Sequence, residues 1–140
     1  MDELVSIIVP VYQAQEYIKA TMDSVKAQTY GSWELLLVVD GEKDPTIPII
    51  QEYVQKTEEN RIRLIVQMEN KGAALARNRG VQEAEGRYIA YLDADDLWSS
   101  DKLEKQLAYM HKQDAAFVFT GYEFGDENAV GTGKVVRVPE

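Results

Sequence analysis

Short, wholly apolar runs alternate along this chain with stretches whose apolar residues recur every three or four positions. A run of the first kind suits a strand covered on both faces. A stretch of the second kind must bury one stripe, so together they demand a sheet held between helices. Residues 6–11 are the first apolar run, rich in Ile and Val. Within 15–28, Ile18, Met22 and Val25 fall at i, i+4 and i+7, which predicts a helix with one buried face. A second run at 34–39 precedes Asp44-Pro45, an N-cap followed by proline at the first helical position. Ile47, Ile50 and Val54 then continue at helical spacing to about residue 56. A third strand is expected at 61–67, an Ala-rich, close-packed helix at 72–84 and a fourth strand at 87–92. Ser100 is placed to cap a helix carrying Leu103, Leu107 and Met110. Residues 115–124 are a fifth strand candidate, and Gly131, Gly133 and Val135-Val136 suggest a late loop and strand.

This rhythm specifies an α/β fold, a mostly parallel sheet with helices on both faces and right-handed crossovers. The 140 residues suffice for one domain whose core needs no disulfide or metal staple. Ligands of such sheets bind beyond the carboxyl ends of the strands, near the point where strand order reverses. The informative residues therefore follow the strands: Pro10-Val11-Tyr12, Asp40-Gly41, Asn70-Lys71-Gly72 and Asp93-Ala94-Asp95-Asp96. An aromatic ring, a cation and several carboxylates converge on one edge.

Charge and composition narrow the partners. Fifteen Lys+Arg against 24 Asp+Glu give a net charge of −9, which opposes general nucleic-acid binding. Cysteine is absent, so no thiolate metal site or thiol nucleophile exists. The longest aliphatic run, 35–39, is too short to span a membrane, and Met1-Asp2-Glu3 has no signal character, so the default location is the cytoplasm.

Asp93, Asp95 and Asp96 place three carboxylates within four residues, directly after an apolar strand. Mutual repulsion and desolvation make such a cluster costly. A divalent cation relieves both, and oxygen ligands suit Mg2+ or Mn2+ held jointly with substrate phosphates. The alternative is a solvated acidic turn in which Asp95 or Asp96 caps the next helix. A calcium loop starting at Asp93 is excluded, because Leu97 and Trp98 occupy a ligand position and the glycine turn. An aspartyl-nucleophile phosphohydrolase fits poorly, since the pair follows the fourth strand rather than the first.

Taken together these motifs resemble the family 2 glycosyltransferases, which have the Rossmann-like GT-A nucleotide-sugar-binding fold. The resemblance rests on the opening strand at 6–12, the S-x-x-x-Q-T-Y element at 24–30 and the acidic segment at 34–44. Asn70-Lys71-Gly72, Ala76-Arg77-Asn78-Arg79-Gly80 and Tyr91-Leu92-Asp93-Ala94-Asp95-Asp96 complete it, over about residues 5–110. It implies a nucleotide pocket in which Pro10 and Tyr12 wall the base and Asp40 accepts a hydrogen bond from it. Lys71 and Gly72 would lie near base and ribose, and Arg77 close to the donor pocket. Asp93 would lie near ribose or metal, with Asp95 the first choice of metal ligand and Asp96 beside it. The implied reaction is inverting, divalent-metal-dependent transfer of a hexosyl group from a nucleoside-diphosphate sugar, a UDP-sugar first, to a carbohydrate or lipid-linked acceptor. Cell-surface polysaccharide assembly at the inner face of the membrane is the implied setting. The family's catalytic base lies well beyond its D-x-D, so it is expected past Glu140, and the chain reads as a donor-binding part truncated before the acceptor half. Gln13 replaces the usual Asn, Val39 the first of two paired aspartates and Glu42 the usual Ser. A homodimer is the expected assembly.

Other residues have plainer readings. Arg61, Arg63 and Arg87 read as solvated cations, whereas Arg77 divides between structure and site. Asp44 reads as an N-cap before a third site carboxylate, and Glu16 as first-turn dipole chemistry or a loop anchor. Trp33, Trp98, Tyr88, Tyr91 and Tyr109 read as packing, and His111 as a surface or cap residue. Three rival functions meet the sequence differently. A noncatalytic nucleotide-binding module stays open; a dinucleotide oxidoreductase lacks G-x-G-x-x-G after the first strand; a nucleotidyltransferase lacks a Gly- and basic-rich loop there.

Overall fold

A computed structural model describes residues 3–68, 72–113, 117–119 and 134–137. The elements run β1 (Val5–Val11), α1 (Ile18–Lys26), β2 (Trp33–Asp40), α2 (Thr46–Thr57), β3 (Ile62–Gln67), α3 (Ala73–Glu83) and β4 (Tyr88–Tyr91). α4 (Lys102–Gln113), β5 (Phe117–Phe119) and β6 (Lys134–Arg137) follow. The sheet order is β3-β2-β1-β4-β6-β5. The first four of these are mutually parallel, while β6 runs antiparallel to both β4 and β5.

The apolar runs are continuous because both faces of the sheet are covered. Alternate residues of β1 and β2 (Val5, Ile7, Val9; Leu35, Leu37, Val39) pack with Ile18, Met22 and Val25 of α1, Ile50 of α2 and Leu103 and Leu107 of α4. The intervening Ile8, Leu36 and Val38 form a second core with Ile65, Ile89 and Ala76 of α3. The helix α3 sits close because small residues face the sheet: a Cβ on Gly80 would lie 2.5 Å from Ile8 Cγ2.

Two sequence expectations shift. The first helix spans Ile18–Lys26 rather than 15–28. Leaving β1, the chain passes through a left-handed Gln13 (φ 47°), and the Ala14 carbonyl accepts from both Tyr17 and Ile18 N–H groups at 2.9 Å, so a turn precedes the helix. Ser100 does not cap α4. Gln28, just beyond α1, does so from across the fold: its Oε1 accepts the Leu103 N–H at 3.1 Å, and its Nε2 donates to the Ser99 carbonyl at 2.7 Å. That satisfies an otherwise orphaned N-terminal amide. Of the expected strand at 115–124, Phe117–Phe119 is described and the rest lies outside the described residues.

Candidate functional site

Strand order reverses between β1 and β4, since β2 and β3 lie on one side of β1 and β4 on the other. The two strands separate at their carboxyl ends. Their register ends at Ile8↔Tyr91, and the Ile8 carbonyl accepts the Leu92 N–H at 3.1 Å. Pro10 faces the same side two residues later, where β4 has already left. A residue without an N–H therefore fits inside this strand.

The cleft so formed is a cavity of about 390 Å³. Pro10, Tyr12, Asp40, Gly72, Arg77, Asp93 and Asp95 all line it, so six elements or loops meet there. Of the other residues expected from sequence, Lys71 lies outside the described residues, and Asp96, expected beside Asp95, does not line the cavity. Tyr12 is 55% exposed and presents its ring at the rim, as does Tyr17, which the sequence reading did not single out.

Asp40 ends β2 and is buried. Its carboxylate accepts the Gly72 N–H at 2.6 Å and the Gln67 side-chain amide at 3.1 Å. A carboxylate offers about four acceptor sites, so it can hold these bonds and also meet a ligand N–H. Gly72 precedes α3 at φ 94°, a conformation that a side chain strains. The fold thus fixes Asp40 against the start of α3 while leaving it on the cavity wall.

Asp93 follows β4 by two residues, and the Asp96 N–H closes a turn onto its carbonyl at 3.0 Å. Burial raises the Asp93 pKa first, then the charges of Asp96 and Asp95; Arg77 opposes them. The Arg77 Nη2 stands 3.9 Å from Asp93 Oδ1, an ion pair at its outer limit. Burial, then the Asp95 charge, raises the Asp96 pKa as well. Negative charge is therefore concentrated on one wall of the cavity. Among the described residues no group of three His, Cys, Asp or Glu converges to hold a metal alone. Asp93 and Asp95 fit instead the hard-cation pattern in which one or two carboxylates share the ion with phosphate oxygens.

Asp44 is neither a cavity carboxylate nor a simple cap. Its Oδ1 accepts the Thr46 N–H at 2.8 Å, and its Oδ2 accepts the Gln13 N–H at 2.6 Å. Thr46 Oγ1 accepts the Ala14 N–H at 3.0 Å, so the start of α2 holds the loop that carries Tyr12. Trp33 is buried beneath Arg61, whose guanidinium lies 3.8 Å from the ring centroid. Trp98 is likewise buried, with the Lys102 amine 5.8 Å from its ring. Arg61, Arg63 and Arg87 stand at the amino ends of their strands, away from the cavity, paired with Glu59, Glu34 and Glu83, and Glu3. The side chain of His111 lies outside the described residues.

Comparison with known proteins agrees with this geometry. The family model described as Glycosyl transferase family 2 matches residues 6–135. The chain is 44% identical over 137 residues to TuaG of Bacillus subtilis (strain 168), assigned provisionally as a teichuronic acid biosynthesis glycosyltransferase. That match covers 98% of this chain and 54% of TuaG. It is 42% identical over 135 residues to Escherichia coli WfgD, a UDP-Glc:alpha-D-GlcNAc-diphosphoundecaprenol beta-1,3-glucosyltransferase, covering 96% of this chain and 51% of WfgD. The chain thus spans about half the length of these curated relatives. Among solved structures, S. aureus TarS 1-349 in complex with UDP superposes with a TM-score of 0.73 at 25% identity, over 81% of this chain and 33% of that one. The mannosyltransferase PcManGT from Pyrobaculum calidifontis, in complex with GDP-Man and Mn2+, superposes at 0.85 over 98% of this chain and 45% of that one. At 19% identity it attests the fold alone.

Proposed function

The chain belongs to glycosyl transferase family 2, and on that premise we propose that it is the donor-binding part of an inverting, divalent-metal-dependent glycosyltransferase. The donor is a nucleoside-diphosphate sugar, a UDP-sugar first, and the acceptor a hydroxyl on a carbohydrate or lipid-linked carrier. The observation that carries this reading is the shared wall: Tyr12, Asp40, Asp93 and Asp95 line one cavity at the strand switch point. UDP-Glc and a diphosphoundecaprenol acceptor in the name of WfgD, and UDP in the TarS complex, support the choice of donor and acceptor class.

The residues divide the work by chemistry. The Tyr12 ring offers a face for a nucleobase. Asp40 accepts an imide N–H, which uracil presents, and its buried position strengthens that bond. Asp93 and Asp95 would hold Mn2+ or Mg2+, and Arg77, 3.9 Å from Asp93, would add positive charge beside them for the diphosphate. The bound ion would neutralise the departing diphosphate. No helix among the described residues is long and apolar enough to cross a membrane. A lipid-linked acceptor would bring the enzyme to the inner membrane face.

Isothermal titration of UDP and GDP, with and without Mn2+, tests the reading. The expected result is metal-dependent UDP binding, lost in Asp95→Ala and weakened in Asp40→Asn, which keeps an acceptor for the Gly72 amide. Absence of binding by either nucleotide in a folded wild-type chain would overturn it.

A further inference from the structure

The residues between β4 and α4 that carry the acidic cluster have no strand or helix of their own, and side chains of α1 and of Gln28 just beyond it reach their main chain. Thr21 is fully buried, and its Oγ1 stands 2.5 Å from the Ala94 carbonyl, 3.2 Å from that of Asp96 and 3.2 Å from that of Tyr17 in its own helix. One hydroxyl donates one hydrogen, and the Ala94 contact is much the shortest. Ser24 Oγ lies 3.5 Å from the Trp98 N, and Gln28 holds Ser99 and Leu103 as described above. Thr21, Ser24 and Gln28 fall at i, i+3 and i+7, so one stripe of polar side chains tracks the loop from end to end.

Ala94 separates the two cavity-lining aspartates. Its carbonyl belongs to the Ala94–Asp95 peptide, so a bond to it fixes the direction in which Asp95 leaves the backbone, and it steadies Asp93 through the turn that the Asp96 N–H closes onto the Asp93 carbonyl. We propose that Thr21 is a positioning residue for this acidic turn: its hydroxyl aims Asp93 and Asp95 into the cavity and thereby sets the affinity of the site for a divalent cation. The cation clause rests on the donor-site reading; the orientation of the turn does not. Valine has the same shape as threonine but places a methyl where the hydroxyl stood. Carbon approaches a carbonyl oxygen no closer than about 3.3 Å, so the Ala94 carbonyl must swing away and loses its donor. Serine keeps the donor.

The test compares wild type, Thr21→Val, Thr21→Ser and Ile50→Val. The last is a core variant remote from the turn that matches a modest loss of stability. In ligand-free protein, amide hydrogen exchange at residues 94–98 is read by mass spectrometry. In the presence of UDP, Mn2+ affinity is read by calorimetry, with metal-free UDP binding as the control. The expectation is faster exchange and about tenfold weaker Mn2+ binding in Thr21→Val, the range for a partner that orients a ligand rather than touching the ion. Thr21→Ser should restore both to within about threefold, and Ile50→Val should change neither. Wild-type exchange and Mn2+ affinity in Thr21→Val would overturn the proposal, as would an equal loss in Ile50→Val. If wild type binds no UDP–Mn2+, the donor reading fails, and the exchange data alone decide whether Thr21 holds the turn.

Discussion

Asp44 Oδ2 accepts the backbone N–H of Gln13 at 2.6 Å, joining the loop after β2 to the loop after β1. The other carboxylate oxygen holds the first amide of α2, so one side chain fixes both segments. Asp44→Asn replaces one acceptor with an amide NH2 facing an N–H donor. Its expected cost is about 1–3 kcal/mol in urea unfolding, the range for leaving a buried donor without its partner. Nucleotide affinity should weaken as well, because Tyr12 rides on the same loop.

Gln28 serves two partners across the fold, the Ser99 carbonyl and the Leu103 amide, besides the Ser24 carbonyl of α1. Gln28→Ala should lose about 1–2 kcal/mol, as helix-cap deletions do. Gln28→Glu should lose more, because a carboxylate would then face the Ser99 carbonyl now 2.7 Å from an N–H donor. Urea midpoints for the two variants check the ranking.

Gly80→Ala adds one methyl against Ile8, a fully buried residue in the middle of β1. Overpacking costs about 1–3 kcal/mol, and the better helix propensity of alanine returns up to about 1. A net loss is expected, with an unchanged denaturant slope as the sign that packing alone has altered.

Asp93 responds to pH in the opposite direction to a salt-bridged carboxylate. Its pKa is raised in the folded protein by burial first and then by Asp96, so the folded state binds protons more readily than the unfolded state. Ligand-free stability from this group is greatest below the ordinary aspartate value and falls as pH rises through the raised one. Asp93→Asn should therefore stabilise the ligand-free chain at pH 7 by less than about 1 kcal/mol, since solvent screens a partly exposed group. The gain should vanish near pH 3 in thermal melts. The same substitution should weaken metal-dependent nucleotide binding.

The alternation of apolar runs and amphipathic stretches made the parallel sheet legible, because its period is local. The convergence of the candidate site was legible for a second reason: topology sends the residues after each parallel strand to one edge, so the meeting of Tyr12, Asp40 and Asp93 at one cavity needed only their place in the chain. The same logic places Arg61, Arg63 and Arg87, which precede or open strands, at the other edge, a signal available in the sequence. Gln28 and Thr21 were not legible as supports, since their partners lie 75 and 73 residues away and no pattern announces such a meeting. Asp44 was half legible: its bond to Thr46 follows from spacing, whereas its bond to Gln13 needs the two loops side by side.

The position of β6 bears on how the molecule is made. It lies between β4 and β5 in the sheet, yet it follows both in sequence. As the polypeptide leaves the ribosome, β1 to β4 can assemble in order, but the outer edge of β4 stays open. β5 emerges before the only strand it pairs with among the described elements. Lys134–Arg137 therefore act as a closing strip, covering the β4 edge on one side and joining β5 to the sheet on the other. Until those four residues appear, the nascent chain carries an exposed strand edge of the kind that recruits other chains.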